Sequence, residues 1–109
     1  MALDVHIIPS CYTASVTGSW EGFGFEAEHE DLFRIVDRAP SAFPQLLRMR
    51  DYWENTVYVS DDLTALIDEI RAVLAEVERD TPLDVILSKF LQSAQRAAQE
   101  NKAVLLYAD

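Results

Sequence analysis

Few residues of this chain are of a type that does chemistry: one cysteine, Cys11, and two histidines, His6 and His29. A thiolate nucleophile needs a base, which either histidine would supply. It also needs a lowered thiol pKa, which an adjacent cation or a helix start provides. Cys11 has neither beside it in sequence, and such a cysteine is by default a small buried apolar residue. Glu26, His29 and Glu30 would share one face of a helix that began early, a spacing compatible with a metal ion. The two-histidine signature that makes a zinc motif specific is missing. The alternative is a solvated first turn whose acids face the positive end of the helix dipole.

All three glycines, Gly18, Gly22 and Gly24, lie within seven residues and interleave with Trp20, Phe23 and Phe25. A phosphate-binding loop of the common kind needs Lys-Ser or Lys-Thr after its glycines, and here Phe25-Glu26 follows. The nearby charges are negative, the wrong sign for phosphate. An aromatic-tipped recognition loop fits better, with Trp20 and Phe23 filling a partner's pocket. Packing of the same rings onto a small core is the competing expectation. The second aromatic constellation is Asp51-Tyr52-Trp53-Glu54, two large rings between two acids. Exposed, Trp53 would anchor a binding surface ringed by carboxylates. Buried, it would cap a helical layer while the acids solvate the edge.

Charge narrows the choice of partner. Nineteen acidic side chains against nine basic ones give a net charge of −10 in 109 residues. Only Arg48-Met49-Arg50 is locally basic, too little to hold a phosphate backbone, so direct nucleic-acid binding is disfavoured. Asp61, Asp62, Asp68, Glu69, Glu76 and Glu78 read as a solvated helix surface. A lone cysteine cannot form an intramolecular disulfide, which fits a reducing compartment. Met1 to His6 lack the basic start and apolar run of a secretory signal. No stretch approaches the roughly 20 apolar residues that cross a bilayer. The expected location is the cytoplasm, with no membrane partner and no cofactor.

The elements that must position these residues follow from apolar spacing. Leu3, Val5 and Ile7 alternate as one face of a strand, which Pro9-Ser10 breaks. Cys11–Thr17 reads as an edge strand or an extended loop, and the glycine-rich part after it as the least regular segment. A helix is predicted from about Glu28 to Ala39, with Leu32, Phe33, Ile35 and Val36 inward and Glu30 one turn before Arg34. Pro44 opens a brief helix through Tyr52. Asn55–Val59 reads as a short strand with Val57 and Val59 on one side. From Asp61 to about Glu78, Leu63, Leu66, Ile67, Ile70, Val73, Leu74 and Val77 form one helical stripe, with Ser60 or Asp61 as its cap. Thr81-Pro82-Leu83-Asp84 starts the next helix with cap, proline and acid in order. Its stripe is Leu83, Ile86, Leu87, Phe90, Leu91, Ala94 and Ala98. Ala103–Tyr107, apolar on both faces, reads as an interior strand. The expected fold is a single α+β domain spanning residues 1–109: a small mixed sheet of three to four strands, with two long and one or two short helices packed on it.

The run Leu46-Leu47-Arg48-Met49-Arg50-Asp51-Tyr52-Trp53-Glu54-Asn55-Thr56-Val57-Tyr58 is followed by Leu63, Leu66, Ile67 and Glu69. With the ending Val104-Leu105-Leu106-Tyr107-Ala108-Asp109, it resembles small uncharacterised bacterial proteins, some of them immunity-like. Trp53-Glu54-Asn55 replaces the glycine-containing turn usual there, and Ala108 stands where glycine is common. The resemblance implies a cytosolic bacterial protein that neutralises a toxin by binding it, and it transfers no functional residue. The expectation from residues and resemblance together is an acidic binding protein for a basic protein partner, touching it through Trp20, Phe23, Asp51, Tyr52, Trp53 and Glu54. Two alternatives stay open: a small enzyme or metal- or ligand-binding domain using Cys11, His29, Glu26 and Glu30, and a structural homo-oligomer.

Overall fold

The C-terminal run, apolar on both faces, becomes one of two strands with neighbours on both sides. The computed structural model describes residues 3–9, 18–21, 26–49 and 56–108. Its elements in chain order are β1 (Leu3–Pro9), β2 (Gly18–Glu21), α1 (Glu26–Val36), a 3-10 turn (Pro40–Ala42), α2 (Pro44–Leu47), β3 (Thr56–Tyr58), α3 (Ser60–Leu74), α4 (Pro82–Gln99) and β4 (Lys102–Ala108). The sheet runs β2-β1-β4-β3. The α+β class, the strand number and the two long helices agree with the sequence expectation.

All three pairings are antiparallel, whereas a mixed sheet was expected. Connectivity explains this. Two helices separate β3 from β4, and an even number of helices returns the chain antiparallel, whereas a parallel neighbour needs a single crossover. A strand also forms where none was expected. β2 occupies Gly18–Glu21, inside the segment read as least regular, and Cys11–Thr17 falls outside the described residues.

Register decides which face is core. Val5 stands opposite Leu106, and Leu106 opposite Thr56; Ile7 stands opposite Val104, and Val104 opposite Tyr58. All six are buried. The other parity sets His6, Leu105 and Val57 in a row, and each of these is only partly buried. The apolar face expected on β3 is therefore the wrong one: Thr56 and Tyr58 point into the core, while Val57 is half-buried and Val59 is exposed. Both inward residues satisfy their hydroxyls on backbone carbonyls, so polar side chains can take core positions.

The helices cover that inner face. α4 packs on β4 and β1, and α3 packs on α4. Leu63, Leu66, Ile70 and Val73 of α3 are buried, as their spacing required. α3 stops at Leu74, short of Glu78, although Val77 still packs against the core. On α4 the buried ladder is Leu83, Leu87, Phe90, Ala94 and Ala97, with Ala98 exposed. Steps of four, three, four and three hold one face, whereas a second step of four from Ala94 drifts off it. α1 buries Leu32, Phe33 and Val36, with Ile35 against their edge. Its Arg34 pairs with Asp31 at 3.2 Å, one residue nearer than the expected partner Glu30. Apart from Ala103, the buried apolar residues of these elements form one cluster.

Candidate functional site: the corner between α2, β3 and α3

The most connected polar site among the described residues starts from a helix with no cap of its own. α2 opens with Pro44 at its first position and Phe43 before it, and Phe43 has no side-chain oxygen to offer. The first N–H groups of a helix lack intrahelical acceptors and need one from elsewhere. Glu69, two turns into α3, supplies it. The Gln45 N–H donates to Glu69 Oε1 at 3.0 Å and Oε2 at 3.2 Å, and the Leu46 N–H to Oε1 at 3.0 Å. Glu69 is 7% exposed, which overturns its assignment to the solvated surface. It lies within the apolar stripe, three residues after Leu66 and just before Ile70, because the carboxylate meets α2 rather than water. Burial raises its pKa above the ordinary 4.5, partly offset by the two backbone N–H donors.

The opposite side of α2 is tied to β3. The Tyr58 hydroxyl donates to the Gln45 carbonyl at 2.6 Å. Burial raises the Tyr58 pKa far above its usual value, against the pull of Arg48, so the hydroxyl stays a donor. Arg48, just past α2, lies over the Tyr58 ring at 4.7 Å from its centroid. Its guanidinium donates to Gln45 Oε1 at 3.0 Å, to Asp62 Oδ2 at 3.3 Å and to the Val57 carbonyl at 2.7 Å. The Thr56 hydroxyl donates to the Arg48 carbonyl at 3.3 Å. These bonds fasten Arg48 to Thr56 and Val57. The bond to Val57 also occupies a carbonyl of the edge strand β3, which blunts that edge against pairing with another chain.

The corner holds rather than reacts. Its one phenol is buried and already donating, its one buried carboxylate accepts from two backbone N–H groups, and among the described residues no thiol or imidazole joins them. Two open depressions lie elsewhere. One of about 300 Å³ lies between α1 and the α3–α4 turn, with Asp31, Arg34, Arg38, Glu76 and Glu78 around it. One of about 380 Å³ lies along the α3–α4 seam, between Asp68, Arg71, Gln95 and Gln99. Neither joins a nucleophile to a base.

The residues singled out from sequence lie mostly outside this description. Phe23, Asp51, Tyr52, Trp53, Glu54 and Cys11 are outside the described residues. Trp20 is in β2 with its backbone opposite Val5, and nothing further is described of it. α1 does begin early, at Glu26, so Glu26, His29 and Glu30 take the helical spacing considered for a metal. Of the three, only the Glu30 side chain is described, and it is exposed. Among the described residues no group of three or more His, Cys, Asp or Glu is placed to hold a metal ion. Sequence reasoning missed Gln45, Arg48, Thr56, Tyr58 and Glu69. The usable signals were a helix start lacking any Ser, Thr, Asp or Asn, and a glutamate inside an apolar stripe.

The charge is unevenly distributed. Residues 1–80 hold sixteen acids and six bases, whereas residues 81–109 hold three of each. Among the described residues Glu30, Asp61, Asp68, Glu76 and Glu78 are exposed and make no ion pair. No helix among the described residues is long and apolar enough to cross a membrane. The chain matches no protein-family model, no curated protein and no solved structure.

Proposed function

We propose that this chain is a small acidic binding protein for a basic protein partner, acting in the bacterial cytoplasm as an immunity- or antitoxin-like inhibitor. The supporting observation is the set of exposed, unpaired carboxylates on α1, α3 and the turn after α3, within a segment that carries the whole net charge. Such a field speeds encounter with a positive surface and repels acidic competitors. The buried-anchor part of the contact falls to Trp20, Phe23, Tyr52 and Trp53, with Asp51 and Glu54 at its rim.

The test is kinetic. A partner recovered by affinity capture from the host is purified and re-bound to the chain by stopped-flow mixing. Raising ionic strength from about 0.01 M to about 0.15 M shortens the screening length from roughly 30 Å to roughly 8 Å. The association rate is expected to fall by roughly tenfold or more, with a much smaller change in dissociation. An association rate indifferent to salt removes the electrostatic basis of the proposal.

A further inference from the structure

We propose that the seam between α2 and α3 is a proton-operated latch, in which α2 grips α3 more tightly once the Glu69 carboxyl becomes neutral. The device depends on no particular partner. Its geometry is a buried carboxyl under the first turn of a four-residue helix, with both oxygens engaged by the N–H groups of Gln45 and Leu46. Leu46 and Met49, buried at 0% and 1% exposure, hold that turn against the core.

Two effects oppose each other here. Removal from water penalises the Glu69 anion, and the N–H donors favour it; the first is the larger, so docked Glu69 titrates above 4.5. When α2 lifts, Glu69 meets water and returns to that ordinary value. The docked form therefore binds the proton more tightly than the lifted form. By linkage, docking is weakest above the docked pKa and strengthens as pH falls through it, levelling off below 4.5. The proton has a place to sit. Oε1 accepts from both N–H groups, whereas Oε2 has only the longer 3.2 Å contact with Gln45. Protonating Oε2 leaves Oε1 as acceptor for the whole helix start.

The neighbouring groups do not mask the effect. Tyr58 on β3 is buried and held protonated. Asp62, on α3 and paired with Arg48 at 3.3 Å, is the other carboxylate of the corner and serves as the control. The remaining elements packed on α3 are α1, α4 and β4. Among the described residues they bury only apolar side chains.

Amide hydrogen exchange at Gln45, Leu46 and Leu47, corrected for intrinsic rates, measures how often α2 lifts. For the wild-type chain the opening constant is expected to drop on acidification by up to about tenfold per pH unit, the limit for one linked proton. Glu69→Gln keeps an oxygen acceptor without titrating, so its opening constant should not change with pH. Asp62→Asn should keep the wild-type slope. The Glu69 carboxyl carbon, followed by NMR, should titrate above 4.5. A midpoint at or below that value overturns the latch, as does a wild-type opening constant that is flat or rises on acidification. An unchanged slope in Glu69→Gln does the same. If Glu69→Gln does not fold, the wild-type slope and the carboxyl titration still decide.

Discussion

α2 and α4 both begin with a proline at the first helical position, and they satisfy their N-termini in opposite ways. α4 is closed by its own sequence. The Thr81 hydroxyl accepts the Asp84 N–H at 3.2 Å and donates to the Glu78 carbonyl at 2.8 Å, and Asp84 accepts the Asp80 N–H at 3.0 Å. α2 is closed from outside by Glu69, 23 to 24 residues further along. A local cap forms wherever its helix forms, whereas a distant one exists only when the tertiary structure brings two elements together. α4 therefore carries its own start signal, while α2 is a helix only in its place.

That contrast is broken or sharpened most strongly by removing the two caps. Glu69→Ala leaves the Gln45 and Leu46 N–H groups without an acceptor beside a vacated volume, and should cost about 2–3 kcal/mol. Thr81→Ala removes both hydroxyl bonds from a start where water can substitute, and should cost about 1 kcal/mol. Urea midpoints at unchanged m-value measure both. Equal costs would mean that the distant cap is no more demanding than the local one, and the contrast would fail.

The same contrast explains what the sequence disclosed. The strand at Leu3, Val5 and Ile7, the α3 and α4 stripes, the Thr81 start and the interior character of β4 all depend on neighbours within one or two turns, and each was legible. The inward face of β3 was not. Val57 and Val59 are the apolar pair, yet Thr56 and Tyr58 face inward because Arg48 and Gln45 supply carbonyls to their hydroxyls. α3 likewise does without the expected Ser60 or Asp61 cap. Its N-cap residue is Val59, and Asp61 and Asp62 answer the dipole from the first turn instead. The aromatic and acidic run ending at Glu54, singled out from sequence, lies outside the described residues. The polar corner that flanks it joins Gln45 and Arg48 to Tyr58 and Glu69, partners too far apart in sequence for any spacing rule.

An intermediate test addresses the other attachment of α2. Tyr58→Phe keeps the ring under Arg48 and removes only the donor to the Gln45 carbonyl. It should cost about 1 kcal/mol, as for one hydrogen bond whose acceptor can partly rehydrate. A double-mutant cycle with Thr81→Ala should be additive within about 0.5 kcal/mol, because the two helix starts share no partner. With Glu69→Ala the cycle should not be additive, since both changes release the same four-residue helix. Additivity in both cycles would mean that α2 is not held as a unit.

The smallest effect lies at the other end of α4, where the closing signal is again local. Asn101, directly before β4, has φ of 55°, in the left-handed region. There a Cβ is penalised, and asparagine is tolerated better than most residues. Asn101→Ala should therefore cost about 1 kcal/mol, while Asn101→Gly should be neutral or stabilising by about 0.5 kcal/mol. Glycine's gain is limited because it also frees the unfolded chain. Opposite signs for the two substitutions are the signature, read from urea midpoints. If both destabilise equally, the asparagine acts through its side chain rather than its backbone, and α4 would depend on a tertiary contact at its end much as α2 does at its start.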